Sequence, residues 1–363
     1  MITQRITKKG YIMIATVLVS MLFIFSPAIA FAEEPTSNLA VEPILPESQI
    51  GDITNYFNLN LDVGAEETLG LRIRNTSQEE IEVAISSHTA YTNVNGVAEH
   101  ARETDDVNST LQQHLGEHLI VPDIITLAPG ETKEEYVTLI MPDESFTGLL
   151  AGGLRIREVE KEDENAAEGV AIKNTFSYVI AVVVSNERTS TTPELELLNV
   201  FPDQLNYRNV ISATIQNYTP TYVNQLEVEA EVRLEGEEDI LYQVHRENMQ
   251  MAPNSHFNFP ISLNGDRFRG GDYVLTMTAR SGDHEWSWEE PFTIESEAAR
   301  NLNREDVTID TSINWWLVAI IVVVILLIII IIYLISKQKK IVKLIEKESS
   351  SQDANSQESK TLE

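Results

Sequence analysis

The chain has 363 residues, no cysteine and a formal net charge of −30 at pH 7. The lack of cysteine excludes thiol catalysis, cysteine-ligated metals and disulfides, and the acidic excess excludes simple charge attraction to nucleic acid and other polyanions. The charge is uneven: the first 32 residues hold three basic and no acidic residues, residues 336–363 hold six Lys and five acidic residues, and 17 basic and 51 acidic residues remain between them.

The N-terminus reads as a secretory signal over residues 1–32. Arg5, Lys8 and Lys9 are followed by an apolar run from Tyr11 to Phe25 and by the small-x-small triplet Ala30-Phe31-Ala32. Cleavage is expected after Ala32. Near the other end, residues 315–335 carry no charge and consist mostly of Ile, Val and Leu. At about 1.5 Å per residue this stretch is long enough to cross a hydrocarbon core of about 30 Å. Trp315, Trp316 and Tyr333 stand at its edges, where aromatic rings favour the interface, and Lys337, Lys339, Lys340 and Lys343 follow at once. The expected localisation is therefore the cell membrane, in a single pass with the ectodomain outside and the C-terminus in the cytoplasm. The tail, residues 336–363, is too polar to fold and too short for an output domain.

Between these segments strand signals dominate. Residues 69–75, 81–86, 136–141, 154–159, 176–184, 210–216, 226–234, 257–263, 273–279 and 292–294 are β-rich runs bounded by Gly, Pro, Asn and Asp. One order of parts occurs twice. A strand ends in Asn75 or Asn217. Later Leu127-Ala128-Pro129-Gly130 or Met251-Ala252-Pro253-Asn254 forms a Pro-led turn, and the glycine pair Gly152-Gly153 or Gly270-Gly271 precedes or opens a long strand. The fold class read from this pattern is mostly β: two tandem immunoglobulin-like β-sandwiches, followed by a single transmembrane helix. The expected boundaries are 33–188 for the first sandwich, 189–296 for the second, 297–314 for a polar stalk and 315–335 for the membrane helix. Residues 158–169 are expected as an exposed acidic loop and 189–193 as a linker. Each sandwich is expected to fold alone.

Only residues 111–120 read as helical. They contain His114-Leu115-Gly116-Glu117-His118, the H-x-x-E-H spacing that puts two imidazoles on one face of an α-helix in inverted zinc peptidases. This motif supports one alternative reading, a wall-directed zinc hydrolase using His114, Glu117 and His118. A third ligand has no helix to stand on, so no catalytic, cofactor or metal residue is assigned, and no cofactor is expected. There is no G-x-S-x-G elbow, phosphate loop or EF-hand spacing. A surface sensor is a further alternative, which would need a cytoplasmic partner. Trp286 and Trp288, two apart on one strand, are expected in the core of the second sandwich or at its membrane-proximal end, as are Phe257 and Phe259.

Further pieces, in order along the ectodomain, are Pro43-Ile44-Leu45-Pro46 with Gln49, Tyr56-Phe57-Asn58-Leu59, Thr92-Asn93-Val94-Asn95-Gly96, Gly152-Gly153-Leu154, Met251-Ala252-Pro253-Asn254-Ser255, and Trp286-Ser287-Trp288 with Phe292. In these the chain resembles the WxL-interacting proteins of Gram-positive bacteria, and the lack of disulfides in so large an ectodomain also points to a bacterial surface protein. His100 departs from the resemblance, standing where a Tyr is expected. The resemblance implies an N-terminal peptidoglycan-binding domain, a C-terminal host-binding domain and a transmembrane anchor. It also implies a non-enzymatic adhesion or scaffold role, with WxL-domain surface proteins, peptidoglycan and host extracellular matrix proteins as partners and nucleic acid excluded. It assigns no binding residue.

Overall fold

The structure is a computed structural model and describes residues 37–102, 108–159, 176–188, 190–309, 315–316, 318–334 and 337. The expected signal segment, the acidic loop from residue 160, Thr189 of the expected linker, residues 310–314 of the expected stalk and the tail apart from Lys337 lie outside the described residues.

The first eleven strands are β1 (Leu39–Ile44), β2 (Phe57–Asn60), β3 (Glu66–Asn75), β4 (Ile81–Thr89), β5 (Tyr91–Thr92), β6 (Ala98–Glu99), β7 (Leu119–Ile120), β8 (Ile125–Leu127), β9 (Thr132–Ile140), β10 (Leu150–Glu158) and β11 (Ser177–Ser185). They form a four-stranded sheet in the order β1-β3-β9-β7, a five-stranded sheet in the order β2-β11-β10-β4-β8, and the small β5-β6 pair. The two-residue period of a strand explains the layering. In β3, Leu69, Leu71 and Ile73 are buried while Arg72 and Arg74 are exposed. Their apolar faces share one core with Phe57, Leu59, Val83, Leu154, Ile156 and Val182. The last strand, β11, is antiparallel to β10 but parallel to β2, with Val182 opposite Phe57.

Seven more strands follow: β12 (Leu195–Leu205), β13 (Arg208–Asn217), β14 (Val223–Leu234), β15 (Ile240–Met251), β16 (Ser255–Ser262), β17 (Gly271–Ser281) and β18 (His284–Ile294), then the helix α1 (Ser296–Glu305). Their sheets run β12-β13-β16 and β15-β14-β17-β18. Ile211, Ala213 and Ile215 of one sheet and Val228, Ala230, Val232, Leu275 and Met277 of the other are buried. Phe257 and Phe259 join them, edge to face at 6.3 Å between ring centroids.

Two compact units can be distinguished. The larger takes in the chain up to Phe201 with residues 211–262 and 272–293, and so holds the first sandwich and most of the second; the smaller comprises residues 202–210, 263–271 and the chain from Ile294.

The repeated parts have one physical role. Asn75 is fully buried, and its Nδ2 donates to the carbonyls of Glu79, Leu127 and Ala128 at 2.7, 3.1 and 3.0 Å. Asn217, also fully buried, donates to Thr221 and Ala252 at 2.7 and 2.9 Å. In each case Oδ1 accepts from the residue two positions on, Ser77 or Thr219. Each Asn therefore ties the end of its strand to the following Pro-led turn, where Gly130 or Asn254 adopts a positive φ of 73° or 47°.

Two expectations are corrected, and a third falls only partly on the described residues. Residues 111–120 form no α-helix: only Leu115–His118 make a single 3-10 turn, because Gly116 lies so close to β4 that a Cβ there would sit 2.9 Å from the His88 carbonyl carbon. The polar segment from residue 297 is no bare stalk at its start. It is helical over α1, with Ala299 buried and Asn303 bonded to both backbone groups of Phe268. Finally, the expected membrane helix is only partly described. Residues 318–334 are helical, and no helix among the described residues is long and apolar enough to cross a membrane.

Candidate functional site at the junction of the sandwiches

Within the larger unit, the pieces of sequence singled out above converge where the first sandwich meets the second. The β5-β6 hairpin carries Thr92, whose Oγ1 accepts from the Ala252 N–H at 3.0 Å and lies 2.5 Å from Ser255 Oγ. Ser255 Oγ in turn donates to the Ala252 carbonyl at 2.8 Å, so the Thr92 proton points at Ser255 and the three groups close a ring. The Gln250 N–H donates to the Gly96 carbonyl, and the Leu149 N–H to the Pro220 carbonyl, both at 2.8 Å. A small apolar cluster of Ala90, Ala151 and Ala252, flanked by Ala98 and Tyr222, fills the centre.

Beside it, Asn108 is buried and fully engaged. Its Oδ1 accepts from Gln216 Nε2 at 2.8 Å, and its Nδ2 donates to His256 Nδ1 at 3.1 Å. Asn254 Nδ2 donates to Thr110 Oγ1 at 3.1 Å. His100 donates from Nδ1 to the Gly152 carbonyl at 3.0 Å and lies tilted against Tyr222, 6.5 Å between ring centroids. Burial lowers the His100 pKa, partly opposed by that hydrogen bond, and burial raises the Tyr222 phenol. The glycine pair is explained here too: a Cβ on Gly152 or Gly153 would stand 2.5 Å from the carbonyl oxygen of His88 or His100.

A cavity of about 260 Å³ opens beside the junction, lined by Gly148, Leu149, Arg188, Ser190, Thr191, Pro220 and Thr221. Arg188 is held by Ser185 Oγ at 3.3 Å and by Asn58 Oδ1, and burial lowers its pKa from the ordinary arginine value.

The zinc motif is not assembled. His114 is extended, with φ of −100° and ψ of 101°, so the two imidazoles do not share a helix face. His118 Nδ1 donates to the Ile140 carbonyl at 2.9 Å, and its Nε2 lies 3.4 Å from Gln113 Oε1. Among the described residues no group of three His, Asp or Glu side chains could hold a metal ion. Trp286 and Trp288 also differ from expectation. Both are half-buried on the edge strand β18 rather than in the core. The reason is position: the facing sheet has one strand fewer. Trp286 stacks on His284 at 5.9 Å and donates to Glu194 Oε2 at 3.1 Å. Of the remaining pieces, Gln49 braces Tyr56–Leu59 locally, accepting from the Asn58 N–H and donating to the Ile53 and Tyr56 carbonyls. Sequence reasoning missed Asn108, Thr110, Arg188 and Gln216. They are single polar residues with no spacing signal, brought together only by the tertiary fold.

The chain is mostly β, and within the larger unit its two sandwiches are joined through buried polar contacts. The chain belongs to the WxL Interacting Protein family: residues 39–158 match the model of its peptidoglycan binding domain and residues 167–304 that of its host binding domain. The second match begins upstream of β11, although β11 pairs with β10 and β2 of the first sandwich. Similar solved structures include a fimbrial chaperone and two chaperone complexes. One is a chaperone–tip adhesin complex of CFA/I fimbriae biogenesis (12% identity, 71% of this chain, 98% of that chain, TM-score 0.30). The others are the class 5 fimbriae chaperone CfaA (14%, 70%, 98%, 0.29) and the Salmonella enterica SafA pilin with the SafB chaperone (13%, 70%, 98%, 0.29). No individual curated protein matches the chain.

Proposed function

We propose that the chain is a membrane-anchored, non-enzymatic scaffold of the Gram-positive cell surface. Its first domain holds peptidoglycan, its second engages host matrix protein, and the ectodomain docks WxL-domain surface proteins. The observation that carries this reading is the pair of family matches, peptidoglycan binding then host binding, in that order along the chain. The helix over residues 318–334, whose Ile, Val and Leu side chains are exposed, supports an anchor in lipid. The edge strand β18, and β15 ahead of Gln250, support docking of a partner by strand addition.

The acidic surface sets how each ligand is held. Affinity for the anionic wall rests on hydrogen bonds and stacking and is insensitive to salt. A basic protein partner associates faster at low ionic strength, since exposed charges are screened over about 10 Å at 0.1 M salt. The test is retention of the ectodomain on purified sacculi stripped of teichoic acid, and capture of co-expressed WxL-domain proteins, across a range of salt. Retention of neither would overturn the scaffold reading.

A further inference from the structure

The smaller unit presents an apolar, arginine-rich end. Its hairpin between β12 and β13 is the two-residue turn Asn206-Tyr207, with φ of 52° and 58°. Positive φ at both turn residues suits Asn-Gly. A bulky residue at the second position is strained, by roughly 1 kcal/mol. The tyrosine placed there is 69% exposed, and its carbonyl accepts from the N–H of Val307, which is 70% exposed. Both are fixed from beneath. Asp306 is buried and accepts from the Asn209 N–H at 2.7 Å, from the Thr308 N–H at 2.7 Å and from Thr308 Oγ1 at 2.6 Å. Gln204 Nε2 donates to the Leu302 carbonyl at 2.7 Å.

Charge singles out the same end. Residues 202–210, 263–271 and 294–309 contain five arginines, Arg208, Arg267, Arg269, Arg300 and Arg304, all exposed, against six acidic residues. The rest of the segment between signal and tail holds 12 basic and 45 acidic residues. These three stretches thus carry five of the 17 cations of a strongly acidic ectodomain and are close to neutral, where the rest is heavily negative. Chain length then fixes what they can reach. Five residues separate Ile309 from Trp315, six steps that span at most about 20 Å when extended.

We propose that this end rests on the bilayer itself: Tyr207 and Val307 enter the interfacial layer, and the surrounding arginines meet anionic phospholipid headgroups. The inference rests on the membrane anchoring proposed above. Tyrosine suits the interface, where its ring is apolar and its hydroxyl wet, and basic side chains near an anionic leaflet are attracted to it. The smaller unit is then seated on the lipid as well as tethered to it, while acidic residues elsewhere in the ectodomain are repelled from the same lipid.

The full chain lacks cysteine, so V307C and Q78C each give one nitroxide label after reconstitution into phosphatidylcholine vesicles containing phosphatidylglycerol. The label at 307 is expected to collide with oxygen and be shielded from a water-soluble nickel chelate, with the opposite at 78. R304Q in the V307C background should weaken the shielding about fivefold, the effect of one arginine near an anionic surface. Y207G, which relieves the turn and keeps the fold, should weaken it further, and vesicles of phosphatidylcholine alone should abolish it. A chain that floats with vesicles but carries a water-exposed label at 307, or shielding indifferent to phosphatidylglycerol, overturns this inference and leaves anchoring intact. A chain that does not float overturns both.

Discussion

At the residue scale, stability concentrates in a few buried polar groups whose partners are main-chain atoms. Asn75 and Asn217 are the clearest. Removing either amide leaves two or three inward-facing carbonyls without a donor, at a cost of roughly 2–4 kcal/mol. Asn75→Ala and Asn217→Ala should each lower the urea midpoint of the ectodomain, whereas Gln78→Ala, on the surface of the same turn, should not. His100 adds a pH dependence. Its folded pKa lies below the ordinary histidine value of 6.5, so the unfolded chain binds the extra proton first. The stability it contributes is complete above pH 6.5 and is lost as pH falls from there towards the lowered folded value. Urea unfolding at pH 7.5 and pH 5 should show this loss, and His100→Tyr, which cannot titrate in that range, should flatten it. Asp306 has the opposite neighbourhood. Burial alone would raise its pKa, but the bonds from Thr308, Asn209 and Ile309 outweigh it and hold the carboxyl below its ordinary value. Its contribution persists at neutral pH and disappears only in acid.

At the scale of elements, Gly152 and Gly153 show how closely strand, hairpin and 3-10 turn are stacked. Gly153→Ala should destabilise the first sandwich by a few kcal/mol, because backbone oxygen rather than a flexible side chain blocks the new methyl. The pairing of β11 yields a sharper expectation. A chain ended at Glu158, where the first family match stops, lacks the strand that covers both β10 and β2, and should fail to give a cooperative transition. A chain ended at Arg188 retains it. Ten strands were legible from alternation or from continuous β-branched runs. Those missed fall into two kinds: pieces of two to four residues such as β5 to β8, too short to show a period, and edge strands such as β15, whose outward residues blur the contrast between faces. The H-x-x-E-H stretch failed for another reason. Its spacing is helical, but Leu115 is drawn into the core and Gly116 against β4, and packing of the turn overrides propensity. The Asn and Pro-turn repeat, in contrast, was legible because its chemistry is local to each turn.

For the molecule as a whole, the junction decides how independent the two sandwiches are. Sequence composition suggested two autonomous halves joined by a linker. In the larger unit, however, the hairpin of the first sandwich is bonded to Ala252 and Gln250 of the second through Thr92 and Gly96, and the segment after it to Asn254, Gln216 and His256 through Thr110 and Asn108. The expected calorimetric outcome is one shared unfolding transition for residues 37–309. Thr92→Val combined with Ser255→Ala should split it into two, by leaving the Ala252 N–H without its acceptor.

The parallel pair β2-β11 has a consequence in time. Ser185 meets Leu59 across 126 residues of chain, so the sheet that encloses the first core has no final edge until its last strand has been made. Closing so long a loop is entropically expensive, and contacts this distant slow folding. A nascent chain emerging N-terminus first therefore carries Phe57, Leu59 and the apolar faces of β3 and β4 uncovered until Ser185 has been made. Any factor that keeps the chain from aggregating must act in that interval, before β11 appears, and can release it afterwards.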